Sequence, residues 1–149
     1  MNILINLVEE KDLPSILALY SELEFLVDIP YPIERANTIF SKIRSYPDYH
    51  IYIATCEGKI VGSFALLIMD NLAHFGAKSG VVEDVVVAKQ WQNKGIGKQM
   101  MNFAIQKCKD AGCYKLTLSS NIKREDAHKF YESLNFKKHG YSFLMELNN

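Results

Sequence analysis

Leu13, Ile16, Leu17, Leu19, Tyr20 and Leu23 recur at helical spacing and give one apolar face. Asp12 stands where an N-cap belongs and Pro14 falls in the first turn, so a helix is expected from there through about Phe25. Ile3–Val8 before it reads as a strand. "DIPYP" then breaks the chain, and a second helix is expected over residues 33–44, ended by "SYPDY". From there the period changes. "HIYIATC" and "KIVGSFALLIMD" flank the Gly-containing turn "EGK" and read as an antiparallel hairpin. "NLAHFGAKSG" reads as a loop and "VVEDVVV" as a strand. A helix follows in which Ile96, Met100, Phe103, Ala104, Cys108 and Ala111 share a stripe, with Gly112 at the C′ position. "YKLTLSS" reads as a strand. "REDAHKFYESLNF" reads as a short helix with Ala127, Phe130, Tyr131 and Leu134 on one face. Residues 141–147 are expected to close the chain as a last strand.

The expected order is β-α-α-β-β-β-α-β-α-β, an α+β or mixed α/β layering of sheet and helices. It does not alternate strand and helix throughout, which argues against Rossmann and TIM architectures. The chain has 149 residues, 48% of them hydrophobic, and shows no linker or repeat, so a single domain over 1–149 is expected. A formal net charge of zero supplies no global field for nucleic acid. The longest apolar run, Phe64–Met69, is far short of a membrane span. "MNILINL" lacks the basic flank of a signal peptide, and Cys56, Cys108 and Cys113 form no CxxC pair, so reduced thiols in a cytoplasmic protein are expected. Histidines 50, 74, 128 and 139 show no ligand spacing, and no metal is expected.

The candidate chemistry sits in "QWQNKGIGKQMM", residues 91–102. A helix N-terminus offers unpaired N–H donors and the positive end of the helix dipole. Glycine there lets a bulky anion reach the backbone. Gln92, Asn93, Lys94, Gly95, Ile96, Gly97 and Lys98 fit such a phosphate seat, and no acid lies between Lys89 and Gln106 to oppose it. A Walker A loop is excluded because Gln92 and Gln99 stand where glycine and Ser/Thr are required. A dinucleotide fingerprint is excluded because Met100 replaces its third glycine. On the glycines alone, a plain tight strand–helix turn accounts for the sequence equally well.

"EDVVV", "QNKGIGKQMM", "TLSSN" and "DAHKFYESLNF", in that order, resemble the GNAT (Gcn5-related) N-acetyltransferase superfamily over about Val81–Leu147. The resemblance implies a central, mostly antiparallel, splayed sheet flanked by helices, with acetyl-CoA as cosubstrate. By resemblance, the amides of Asn93–Lys98 hold its pyrophosphate behind Gln92, Gly95 and Gly97. Val85, Val86 and Val87 pair with the pantetheine arm, which Asn121 also contacts. Tyr131 stands where the family places a tyrosine near the thioester sulfur. The late segment looks like aminoalkylphosphonate N-acetyltransferases, whereas "EDVVV" with "GCYKLTL" is similar to glucosamine-phosphate N-acetyltransferases. Asn135 replaces a glycine usual in the family, at a position expected to need the left-handed backbone that asparagine tolerates.

Acetyl transfer to an amine needs a neutral amine, a positioned thioester and a proton for the leaving sulfur. Positioning alone contributes on the order of 7–11 kcal/mol, so no protein nucleophile is required. Tyr131 is the candidate general acid, its phenol being protonated at neutral pH; the alternative is plain packing beside Phe130. Glu83 is the candidate base. It neighbours Asp84, and successive strand residues are expected to face opposite sides. Lys123 and Arg124 suit either a substrate phosph(on)ate or a solvated helix start. Glu22, Glu24, Asp28 and Glu34 suggest an acidic rim for a cationic amine. The expected partner is a small-molecule amine, with neither nucleic acid nor membrane, in a chain that pairs as a homodimer. An acyl-CoA-binding sensor and an acetyltransferase of peptide amines are the competing readings.

Overall fold

The computed structural model describes residues 1–23 and 31–147. They fall into two compact units, Met1–Thr117 and Leu118–Asn149, and each is described by itself. The first unit carries a five-stranded sheet in the order β1-β2-β3-β4-β5. Its strands are β1 (Ile3–Leu7), β2 (Tyr49–Cys56), β3 (Lys59–Met69), β4 (Lys78–Val87) and β5 (Cys113–Thr117). The first four strands pair antiparallel, and β5 joins β4 in parallel. Helices α1 (Leu13–Tyr20), α2 (Ile33–Ser45) and α3 (Ile96–Asp110) complete the unit.

Strand alternation sorts the core into two faces. Ile51, Ile53 and Ala65 pack with Leu13, Ile16 and Phe40, so this face belongs to α1 and α2. The residues between them point the other way: Tyr52 stacks on Phe64 with ring centroids 5.3 Å apart, and both meet Phe103 of α3. Ile96, Met100, Met101, Ala104 and Cys108 are the buried stripe of α3. The β2–β3 turn is Glu57–Gly58, both at positive φ (51° and 76°), the handedness that joins twisted strands.

Several boundaries differ from the pattern-based expectation. Helix α1 ends at Tyr20: Ser21 still bonds the Leu17 carbonyl, but Glu22 and Leu23 close tighter turns onto Leu19 and Tyr20. Phe25 lies outside the described residues. Asp12 is the N-cap residue of α1, as expected, but its side chain makes no capping bond there; its Oδ2 accepts the Glu9 N–H at 2.9 Å and closes the preceding 3-10 turn. Strand β4 begins at Lys78 rather than Val81. Ser79 is buried there beneath the Asn71 amide, and Gly80 lies against Cys108 Sγ.

The second unit contains α4 (Glu125–Ser133). Asn135, just past its end, adopts the expected left-handed backbone at φ 69°. Residues 141–147 form no strand; Tyr141, Phe143, Leu144, Met145 and Leu147 are all exposed. Their sequence suits a strand, but an isolated segment gains no ladder without a neighbouring edge.

Candidate active site

Strand β4 is interrupted where its chemistry begins. Ser63 pairs with Val86 and Ala65 with Glu83, so two residues of β4 oppose one of β3. Asp84 sits in this bulge at φ 53°, a left-handed conformation unusual for a non-glycine residue. The bulge interrupts the regular alternation at Asp84, and the charges of Asp84 and Glu83 both add to the burial that raises the Tyr49 phenol. Burial raises the Asp84 carboxyl above the usual carboxylate range, and burial followed by the Asp84 charge does the same for Glu83.

Two tyrosines not singled out in the sequence complete this cluster. Burial, then the Asp84 charge, pushes the Tyr20 phenol well above the ordinary tyrosine range, and its hydrogen bond with Ser63 opposes the shift. Ser63 is itself fully buried and donates to the Tyr52 carbonyl at 2.9 Å. Tyr49 is raised by burial, then by Asp84 and Glu83. In the sequence Tyr20 reads only as part of a helix stripe. The packing of the end of α1 against β4, which brings Tyr20 near Asp84, is not a local property.

Beyond the bulge, β4 parts from its neighbour. The β4–β5 ladder runs from Lys78↔Cys113 to Val81↔Thr117 and stops. Val82–Val87, including the candidate cofactor contacts Val85, Val86 and Val87, therefore have no β5 partner in that ladder. An unpaired strand edge is a template for an extended ligand with alternating donors and acceptors.

That edge leads into the glycine turn. A 3-10 turn at Lys89–Trp91 follows β4, and Gln92 Nε2 returns to the Val87 carbonyl at 3.1 Å. Asn93 (φ 60°) and Gly95 (φ 83°) both take the left-handed conformation, and Gly95 is the N-cap of α3. The first helical bond joins the Gln99 N–H to the Gly95 carbonyl at 3.1 Å. Among the described residues no side chain caps this end, and no acid lies in its first turn, so the N–H groups of Ile96, Gly97 and Lys98 have no intrahelical partner. Lys94 Nζ lies 4.8 Å from the Trp91 ring centroid, placing a cation beside the turn. The loop thus has the donors, the charge and the open approach that a diphosphate needs. A Cβ added at Gly95 would meet nothing within 4 Å.

Glu22 is not a free member of an acidic rim. Its Oε2 accepts the Lys89 N–H at 2.9 Å. Glu34 lies in the first turn of α2, whereas Glu24 and Asp28 fall outside the described residues. His74 stacks on Tyr114 at 4.1 Å between ring centroids. Among the described residues no three His, Cys, Asp or Glu side chains group as a metal site.

Asn121 and Tyr131 belong to the second unit. Asn121 Oδ1 accepts the Lys123 N–H at 2.9 Å, and its carbonyl accepts from Arg124 while meeting His128 Nε2 at 2.8 Å. Asn121 therefore organises the turn into α4. Tyr131 is half-buried against Phe130 and Phe136. Burial raises its phenol pKa, and Arg124 works against that rise.

Residues 13–136 match the model of the Acetyltransferase (GNAT) family. Glucosamine 6-phosphate N-acetyltransferase of Trypanosoma brucei brucei is 30% identical over 143 residues, 96% of this chain and 95% of that protein. Aminoalkylphosphonate N-acetyltransferase of Salmonella typhimurium is 32% identical over 101 residues, 68% of this chain and 65% of the other. The solved structure of glucosamine-6-phosphate N-acetyltransferase from Arabidopsis thaliana superposes with a TM-score of 0.87 at 26% identity, covering 99% of this chain and 100% of that one. With the fold, the bulged strand and the glycine turn, these matches make the chain a member of the GNAT acetyltransferase family and an N-acetyltransferase.

Proposed function

We propose that this enzyme moves the acetyl group of acetyl-CoA directly onto the primary amine of a small molecule that also carries a phosphate or phosphonate. The observation that carries the reading is the continuity of an unpaired β4 edge, Val82–Val87, with an uncapped, acid-free helix N-terminus at Gly95–Lys98. The acceptor class rests on what two similar proteins share by name, an amino sugar phosphate in one and an aminoalkylphosphonate in the other.

In this reading the backbone of Val85, Val86 and Val87 aligns the pantetheine arm, with Asn121 as a further contact. The amides of Asn93–Lys98 hold the diphosphate. Glu83, with Asp84 beside it, takes the proton that leaves the amine, and the raised carboxyl pKa values make this pair better bases than ordinary carboxylates. The nitrogen–carbonyl bond forms, the carbon–sulfur bond breaks, and Tyr131 gives its phenolic proton to the departing sulfur. Proximity supplies much of the rate, and no covalent enzyme intermediate is needed. Lys123 and Arg124 are the proposed partners of the acceptor phosph(on)ate.

The exposed run Tyr141–Leu147 and the sheet edge at β5 favour a homodimer built by strand addition between copies. The three free thiols suit a reducing compartment such as the cytoplasm.

The test is a thiol-release screen with acetyl-CoA across amino sugar phosphates, aminoalkylphosphonates, aminoglycosides, polyamines and peptides. Faster release with phosph(on)ate-bearing amines supports the reading. Preference for peptide amines, or coenzyme A binding with no accelerating amine, overturns it in favour of a protein acetyltransferase or a sensor.

A further inference from the structure

The loop read as a diphosphate seat is anchored by a group of the wrong charge for that ligand. Glu22 follows α1 in a turn, and its Oε2 accepts the N–H of Lys89, 67 residues away in sequence, at 2.9 Å. Lys89 opens the single 3-10 turn that runs directly into Gln92–Gly95. Around this hydrogen bond one apolar cluster joins the same two segments. Leu19, Val86 and Ala88 are its buried members, with Tyr20, Leu23, Ile60 and Trp91 packed against them. Trp91 in turn lies under the Lys94 ammonium.

A carboxylate bonded to the turn that leads into the seat repels a diphosphate by ordinary Coulomb interaction. Charge complementarity therefore does not explain its placement. Its hydrogen bond does. A charge-assisted bond to a backbone N–H is stronger and more directional than a neutral one. Here it fixes the residue from which the whole turn is built. We propose that Glu22 is a positioning residue for the cofactor loop, holding the Lys89–Trp91 turn against the end of α1 so that the amides of Asn93–Lys98 converge on one anion. This role rests on the diphosphate reading given under Proposed function.

The sign of the effect separates positioning from electrostatics. If Glu22 acted only through its charge, both Glu22→Gln and Glu22→Ala would bind coenzyme A more tightly than the unaltered chain. Positioning makes the two variants diverge. Gln keeps an oxygen that accepts the Lys89 N–H and loses the repulsion, so it binds as well as the unaltered chain or better. Ala loses the anchor and binds about tenfold more weakly, 1.4 kcal/mol. Titration calorimetry of the full chain with coenzyme A reads this directly, with thermal melts confirming that both variants fold. In turnover, Glu22→Ala raises the KM for acetyl-CoA and leaves kcat at saturation near that of the parent.

Tighter or unchanged binding by Glu22→Ala, or equal weakening by Gln and Ala, overturns the inference while leaving the diphosphate seat intact. Failure of the unaltered chain to bind coenzyme A removes the seat itself, and this role with it. The anchoring bond is checked separately by hydrogen exchange at Lys89, whose amide is slow in the parent and fast in Glu22→Ala.

Discussion

Gly62 of β3 lies directly beneath Met100 of α3, and a Cβ on Gly62 would come within 2.8 Å of Met100 Sδ and 3.1 Å of the Val86 carbonyl oxygen. The missing side chain lets α3 sit close to the sheet at the level of the bulge. Methionine is adaptable, but the Val86 carbonyl is backbone and fixed by its pairing with Ser63. Gly62→Ala is expected to destabilise by about 1–3 kcal/mol, as overpacking of a filled core does. Calorimetric or denaturant unfolding checks it. Gly80→Ala is expected to behave similarly, because its Cβ would meet Cys108 Sγ.

Gly95→Ala tests the seat from the opposite direction. At φ 83° an alanine pays about 1–2 kcal/mol for the left-handed backbone, although its methyl meets nothing within 4 Å. If an anion reaches the N–H groups past Gly95, as proposed, the methyl stands in its way. A modest fall in stability is therefore expected beside a loss of coenzyme A affinity of about tenfold or more. Titrations of the parent and the variant measure it, and equal affinity would remove the Gly95 approach from the reading.

How far the sequence foretold this architecture depends on which interactions set each part. The glycine turn into α3 at Gly95 could be read because a helix N-terminus and its glycines are local features, a few residues long. The hairpin at Glu57–Gly58 was legible for the same reason. The extension of β4 to Lys78 was hidden, since Lys78, Ser79 and Gly80 look like loop; pairing of Ser79 and Gly80 with Met69 and Ile68 on one side, and of Lys78–Gly80 with β5 on the other, makes that stretch part of the sheet. The bulge at Asp84 was hidden too. Two adjacent acids in a strand pattern carry no sign of it, and only the pairing of Ser63 with Val86 and Ala65 with Glu83 reveals the extra residue. Residues 141–147 show the reverse case, where strand-like composition meets no ladder.

Asp84 and Glu83 set an expected trade between stability and activity. Both carboxyls have raised pKa values in the folded chain, chiefly through burial. The folded state then binds protons more tightly than the unfolded one between the ordinary and the raised values. Their charged forms thus destabilise the fold above the raised pKa, and that penalty is relieved as pH falls through it. Asp84→Asn is expected to raise Tm at neutral pH, with the gain disappearing below the ordinary aspartate range. The same raised values set the acidic limb of turnover, because the proposed base must be ionised. Glu83→Gln is expected to lower kcat/KM by about 10²-fold or more and to abolish that limb. If Asp84→Asn abolishes it instead, the base is Asp84. If neither does, the proton leaves by another route.

Tyr131 gives the sharpest test of the leaving-group step. Its phenol is raised by burial, which keeps the proton in place at neutral pH and available to a departing sulfur. Tyr131→Phe removes the hydroxyl and keeps the ring between Phe130 and Phe136, so stability is expected to change little. General-acid contributions run to about 10²–10⁴-fold, so kcat should fall by at least ~10²-fold with little change in the KM for acetyl-CoA. The parent loses activity as pH rises through the phenol pKa, and the variant should lack that alkaline limb. Leaving-group chemistry then separates proton donation from packing. An acetyl thioester of a more acidic thiol departs as a thiolate without help, so the variant's deficit should shrink on that donor. A deficit of the same size on both donors would assign Tyr131 to the packing of α4 rather than to the chemistry, and full activity would remove it from the site altogether.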